Sequence, residues 1–324
     1  MTTTLDNAVT ATETITVEKR ARRRRGVRVH FTQFKWLYLL LIPGIIYFVL
    51  FRYWPMFGAV IAFKDYVPFL GIADSPWVGF RHFEDFFASP DFPRLLANTL
   101  ILALLSLLIA FPLTIIVALL LNEMRLMVLK RTVQTLIYIP HFLSWTVVAS
   151  LTYLLFALDI GPLFQLINGM LGTDVNFLAD PAWFRPIIVL QDIWKNTGWG
   201  TIIFLAALAG VDQAQYEAAI IDGAGRFQRV WHITLPSIMP TVVVMLVLQM
   251  GQVLNTGFEQ IYLMTNSLNR SVADVFDTYV YFMGITQGSY SYSTAVGLFK
   301  AVVGVVLIFG ANWLARRFNQ TGIF

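Results

Sequence analysis

Four histidines, at positions 30, 82, 141 and 232, and no cysteine leave this chain few groups for covalent or metal chemistry. Disulfides, thiolate nucleophiles and cysteine-ligated metals are excluded outright. His82, Glu84 and Asp85 stand close together, but no second histidine and carboxylate cluster completes a coordination shell. There is no G-x4-G-K-[S/T] phosphate cradle and no H-E-x-x-H, and Gly223-Ala224-Gly225 opens no G-x-G-x-x-G. No Ser or Thr has an evident histidine partner, so catalysis by this chain alone is not expected.

Two polar segments interrupt an otherwise apolar chain. The first, QDIWKNTGWG, sets Gln191, Asp192, Lys195 and Asn196 beside Trp194 and Trp199. Charge inside a membrane helix costs on the order of several kcal/mol unless it faces water, protein or ligand, so such a patch marks a pathway by default. The competing reading is an outer helix end at the lipid headgroups. Trp194, Lys195, Asn196 and Trp199, joined by Gln252, Asn255, Thr256 and Glu259, are the candidate path residues. Rings suit the apolar faces of a bound molecule, while amides and charges suit its hydroxyls and carboxylates. Lys195 and Lys300 point toward an acidic ligand; Asp192 and Glu259 point away from one. His141, beside Pro140, reads as a hydrogen-bonded structural histidine rather than a proton relay.

The second segment is EAAIIDGAGRFQRVWHITLP, Glu217 to Pro236. Tyr216 to Asp222 reads as a short helix, whose small Ala218 and Ala219 let another surface approach the backbone. Gly223 and Gly225 permit a sharp change of direction. Glu217, Asp222, Arg226 and Arg229 offer charges of both signs, and Pro236 suits the first turn of a following helix.

The elements that carry these segments are membrane helices. Of 324 residues 57% are hydrophobic and only 13% charged, and several apolar runs reach the 20 or so residues that cross a bilayer. Spans are expected at about 36–57, 99–121, 133–158, 186–210, 238–255 and 294–314, giving an all-α integral membrane fold with a six-span domain over 36–317. The stretches 59–96, 159–184 and 259–291 read as outer connections, the last with a short re-entrant or interfacial helix. Residues 1–35 form a basic arm, partly disordered, and 318–324 a short tail. The arm's basic run ahead of a hydrophobic span favours a topology signal or anionic lipid over nucleic acid. With both ends in the cytosol, 15 of the 23 basic residues lie inside and 6 outside, while Lys195 and Lys300 fall within spans. That asymmetry puts Glu217 to Pro236 in the cytosol.

The spacing E-A-A-x3-G-x9-I-x-L-P resembles the signature of permease subunits of binding-protein-dependent ABC importers, with every fixed position matched from Glu217 to Pro236. LLLIPGIIYFVLF, FKDYVPF, WVGFRHF, NTLILAL, VQTLIYIPHFLSW, WKNTGWGTIIFLAAL, GFEQIYLMTN and STAVGLFKAV are similar to the oligosaccharide-importing branch of that family, which includes an alginate importer.

The resemblance implies a type I importer permease of six spans in the bacterial inner membrane. Its cargo would be a sugar or oligosaccharide, acidic ones such as alginate included. It implies a second permease subunit, a homologue, together with two ATPase subunits that hold ATP and Mg, and an extracytoplasmic solute-binding protein. This chain itself would bind no cofactor. Glu217, Ala218, Ala219, Asp222, Gly223, Gly225 and Arg226 would form a coupling helix and its turn, docked on the ATPase. The rival reading is an ion-coupled secondary transporter, which would leave the cytosolic motif unexplained. A membrane enzyme acting on lipid-linked glycans lacks a catalytic constellation.

Overall fold

The computed structural model describes residues 34–317, except for the side chains of 314–316. The expected 318–324 tail and all of the basic arm but its last two residues lie outside that range. The chain divides into two compact units, one ending at Val60 and one beginning at Ile61.

Helix α1 (Lys35–Phe63) is apolar enough to cross a membrane, at mean hydropathy 1.7. It contains Pro43 and a widened π-turn at Val49–Tyr53, and tightens to 3-10 geometry at Phe57–Phe63. The helical path thus extends beyond the expected end at residue 57.

The second unit is helical, with a single isolated β-bridge, Lys64 to Trp77, among its described residues. After α2 (Arg81–Ala88) come α3 (Asp91–Glu123) and α4 (Met127–Phe142), then α5 (Trp145–Leu155) and α6 (Pro162–Leu171). Helix α7 (Pro181–Ala209) leads to α8 (Gln213–Ile221) and α9 (Arg226–Gly251). The short α10 (Phe258–Met264) and α11 (Phe276–Tyr281) precede α12 (Tyr290–Arg317). With α1, α3, α9 and α12 are long and apolar enough to span, and α4 with α5 adds a fifth candidate if counted as one broken span.

Several expected boundaries move. The run 133–158 is not one helix: α4 and α5 meet at a bend of 100°. Pro140 removes a backbone donor and tightens Ile139–Phe142 into a 3-10 turn, Leu143 and Ser144 are extended, and the Ser144 side chain caps α5 by accepting from Val147 N at 3.3 Å. Helix α3 starts at Asp91, before the expected residue 99. The expected connection 159–184 contains α6 and the start of α7, because Pro162 and Pro181 sit in first turns and Asp180 caps Ala182 N at 2.9 Å. Helix α9 begins at Arg226 rather than 238 and stops at Gly251 rather than 255. Pro236 consequently lies inside a helix instead of opening one.

That proline is accommodated in the same way as two others. Pro55, Pro112 and Pro236 each stand two residues after a π-turn, at Val49–Tyr53, Ser106–Ala110 and Val230–Thr234. Proline cannot donate to the carbonyl four residues back, and its ring collides with it; one extra residue in the preceding turn relieves both problems.

Helix α7 is the axis of the second unit. Its 29 residues extend about 43 Å at 1.5 Å per residue. One half packs Phe184, Ile187 and Ile188 with Leu102, Phe164, Phe177 and Ile261. The other packs Phe204 and Leu208 with Ala118, Val211 and Ile238. Gln191, Lys195, Thr197 and Thr201, along or beside the stretch between them, are buried. The expected span at 186–210 falls within α7, which carries Arg185, Asp192 and Lys195 and is not among the four helices long and apolar enough to cross a membrane by composition. A third core joins Phe86, Leu95, Phe276, Tyr279 and Val296, holding α2, α3, α11 and α12 together.

Candidate functional site

The break between α4 and α5 leaves carbonyls without helical partners, and α7 supplies the missing donor. Lys195, 7% exposed, donates from Nζ to His141 O at 2.7 Å and to Leu143 O, and lies 5.4 Å from the Trp145 ring. The ammonium therefore staples the bend to α7. Close packing allows this reach: Gly198 abuts Ile137, and a Cβ there would lie 2.6 Å from the Ile137 carbonyl carbon. The His141 ring stacks on Trp199 at 4.6 Å, with Phe142 edge-on to Trp199 at 5.6 Å.

One turn along, hydrogen bonds converge on Asp192. Asn196 Nδ2 donates to Asp192 Oδ1 at 2.7 Å, and Ser106 Oγ donates to Oδ2 at 3.3 Å. Since the Asn196 amide nitrogen is so used, its Oδ1 accepts from His141 Nδ1, 3.1 Å away. Ser106 opens the π-turn of α3.

Two adjoining clefts open on this cluster and share Ser106, Asp192, Asn196 and Gln249. One, of about 280 Å³, continues past Gln252, Asn255, Thr256 and Gln260. The other, of about 330 Å³, continues past Thr114, Trp199, Phe204 and Met245. The walls come from α3, α7 and α9, with the turn after Gly251 forming one end. Behind that end, Gln260 Nε2 donates to Ile188 O at 2.8 Å and Gln191 Oε1 at 3.0 Å, and Gln191 Nε2 donates to Thr152 Oγ1 at 2.7 Å. These buried bonds tie α10, α7 and α5.

Of the candidate path residues, Asn196, Trp199, Gln252, Asn255 and Thr256 line these clefts. Trp194 and Glu259 are exposed and line neither; Lys195 points to the helix break. Lys300 is ion-paired with Asp277 beside a separate cavity of about 390 Å³. Ser106, Gln249 and Gln260 line the clefts without being among the candidate path residues, and Asp192 lines both. A lone serine in the apolar run LLSLLIA was the available signal for the first. His82 hydrogen-bonds Lys64 O at 3.1 Å, and among the described residues no group of three His, Asp or Glu could hold a metal ion.

The Glu217–Pro236 segment forms α8 and the start of α9. Asp212 caps α8 by accepting from Ala214 N at 3.0 Å. At its other end Gly223 adopts φ 77°, with Gly223 N bonded to Ile220 O at 3.1 Å and Ala224 N to Ala219 O at 2.8 Å, the paired closure that a left-handed glycine makes possible. Gln228 Oε1 then accepts from Gly225 N at 2.8 Å. Tyr216 bonds the buried Thr234 at 2.9 Å, fastening α8 to α9. Glu217, Ala218, Asp222, Gly223, Gly225 and Arg226 are exposed and Ala219 half-buried. Ile220, Ile221, Phe227 and Trp231 add a large exposed apolar surface.

Residues 110–320 match the family of binding-protein-dependent transport system inner membrane components. The chain belongs to this family. It is 66% identical over 290 residues to protein LplB of Bacillus subtilis (strain 168), covering 90% of this chain and 91% of that one. To the polygalacturonan/rhamnogalacturonan transport system permease protein YteP of the same organism it is 52% identical over 314 residues, 97% of each chain. A solved bacterial ABC transporter involved in the import of the acidic polysaccharide alginate contains a chain of similar structure, with TM-score 0.83 and 40% identity, covering 90% of this chain and 98% of that one. The matched region of this inner membrane component includes α7, α8 and α9 complete, and with them most of both cleft walls.

Proposed function

We propose that this chain is one of two permease subunits of an ABC importer for a sugar or oligosaccharide, acidic ones included. The clefts beside Asp192 and Asn196 form its share of the path, and α8 receives motion from a separate ATPase. The observation that carries this reading is the placement of α8, an exposed helix joined at one end to α7 and at the other to α9, the two helices whose Asn196 and Gln249 line both clefts. Tyr216 holds it to Thr234, so a displacement of α8 is passed to both walls at once. Two states of such a body, biased by ATPase closure, suffice for alternating access.

In this reading the chain crosses the membrane six times: α1, α3, α4 with α5, α7, α9 and α12. The permease domain covers 36–317, flanked by the basic arm and the tail, and both ends and α8 face the cytosol, as the basic-residue asymmetry supports. ATP and Mg are held by the partner ATPases. A homologous second permease and a solute-binding protein complete the assembly, in keeping with the alginate ABC transporter solved in complex with a pentasaccharide-bound periplasmic protein.

The test is purification of the tagged chain from its native membrane with identification of what accompanies it, followed by transport measurements on Glu217→Lys and Gly223→Asp. A second permease and an ATPase are expected to co-purify. Both variants are expected to insert and to lose uptake while ATP hydrolysis continues. Normal uptake in both would remove the coupling role of α8.

A further inference from the structure

The charge that a saccharide meets in the clefts is set by one residue. Among the described residues, the two clefts together are lined by a single ionisable side chain, Asp192, and by no lysine, arginine or histidine. The cations that point toward an acidic cargo in the sequence are both committed elsewhere. Lys195 gives its ammonium to His141 O and Leu143 O, and Lys300 is bonded to Asp277 outside both clefts. Each Asp192 oxygen accepts one bond from a neighbour, from Asn196 or from Ser106, so each keeps acceptor capacity for a hydroxyl. Around it stand Gln249, Gln252, Asn255 and Thr256, neutral groups that both donate and accept.

We infer that Asp192 is the charge-selecting residue of this subunit: its clefts take uncharged, hydroxyl-bearing stretches of a saccharide and turn carboxylates away. A sugar hydroxyl donates to the carboxylate and accepts from the amides. A uronate carboxylate offers Asp192 no proton and adds a like charge in a site with no counter-cation. If the cargo is acidic, its carboxylates are met by another component of the importer. This inference rests on the proposal that the clefts are part of the path.

The experiment uses the assembled transporter in nanodiscs and a matched pair of probes, trigalacturonate and the neutral trisaccharide obtained by reducing its carboxyl groups, with binding followed by calorimetry. The readout is the ratio of the two affinities, neutral over acidic. Asp192→Asn narrows that ratio at least fivefold, and Gln249→Lys, which brings a cation to both clefts, shifts it in the same direction if the first variant fails to assemble. Asn196→Ala weakens the neutral probe. An unchanged ratio in the assembled variants overturns the role of Asp192; the path survives as long as Asn196→Ala still weakens binding. If neither probe binds, or if Asn196→Ala leaves binding unaltered, the path assignment fails and this inference falls with it.

Discussion

Gly198→Ala tests whether the close contact of α4 and α7 positions the site. A Cβ at 198 would lie 2.6 Å from the Ile137 carbonyl carbon and closer still to its oxygen, where carbon atoms pack best at about 3.5–4.0 Å. The two helices must then separate by about 1 Å. The obstacle is backbone, not the end of a flexible side chain, so the cost falls near the top of the usual overpacking range, about 3 kcal/mol. Thermal unfolding of the chain should fall by roughly 4 °C. The same displacement pulls Asn196 and Trp199 from His141, so transport should fall even where the protein remains folded. Gly200→Ala meets only the Thr114 methyl, at 2.8 Å, and should cost about 1 kcal/mol because that side chain can rotate. Gly169→Ala, on α6, meets nothing within 4 Å and should be neutral or slightly stabilising through helix propensity. The reasoning is refuted if Gly198→Ala melts within about 1 °C of wild type, or if the three variants do not rank in this order.

Two further substitutions probe the committed cations. Lys195→Met removes two charge-assisted hydrogen bonds and strands the carbonyls of His141 and Leu143; at about 1.5–3 kcal/mol for each such bond, a loss of about 3 kcal/mol or more is expected in thermal unfolding. Unchanged stability would mean that the staple does not hold the bend. Lys300→Met leaves Asp277, 24% exposed in its side chain, without its partner and should destabilise the junction of α11 and α12 by about 1–3 kcal/mol. The double variant with Asp277→Leu should recover most of that loss, and a strictly additive double-mutant cycle would show that the pair is not coupled.

Much of the architecture was legible because its causes are local. Apolar runs mark α1, α3, α9 and α12, since a helix satisfies its own backbone and a run of this length and composition suffices to cross a membrane. The helix before Gly223 and the turn at it were readable for the same reason: small residues, then a glycine where φ must be positive. Helix boundaries were less so, because Pro162 and Pro181 look like loop residues until they are seen in first turns, and Pro236 looks like a helix start until the π-turn before it is known.

What the sequence by itself determined is the class of the molecule: a membrane-embedded helical chain with no phosphate cradle, and a glycine-bearing segment whose spacing belongs to importer permeases. Composition, hydrophobic run length and a motif with fixed spacing are one-dimensional quantities, and each is complete in the chain as written. The tertiary structure alone decided which polar groups share a cleft. Lys195 reaches back 54 residues to His141, Ser106 reaches across 86 residues to Asp192, and Asn196 joins His141 to that carboxylate. Two neighbours on one helix, Asp192 and Lys195, are one turn apart in sequence and look like a charge pair. Packing turns the lysine to a broken backbone and leaves the acid facing the clefts, because the two side chains leave α7 toward different neighbours, the α4–α5 bend for Lys195 and Ser106 of α3 for Asp192.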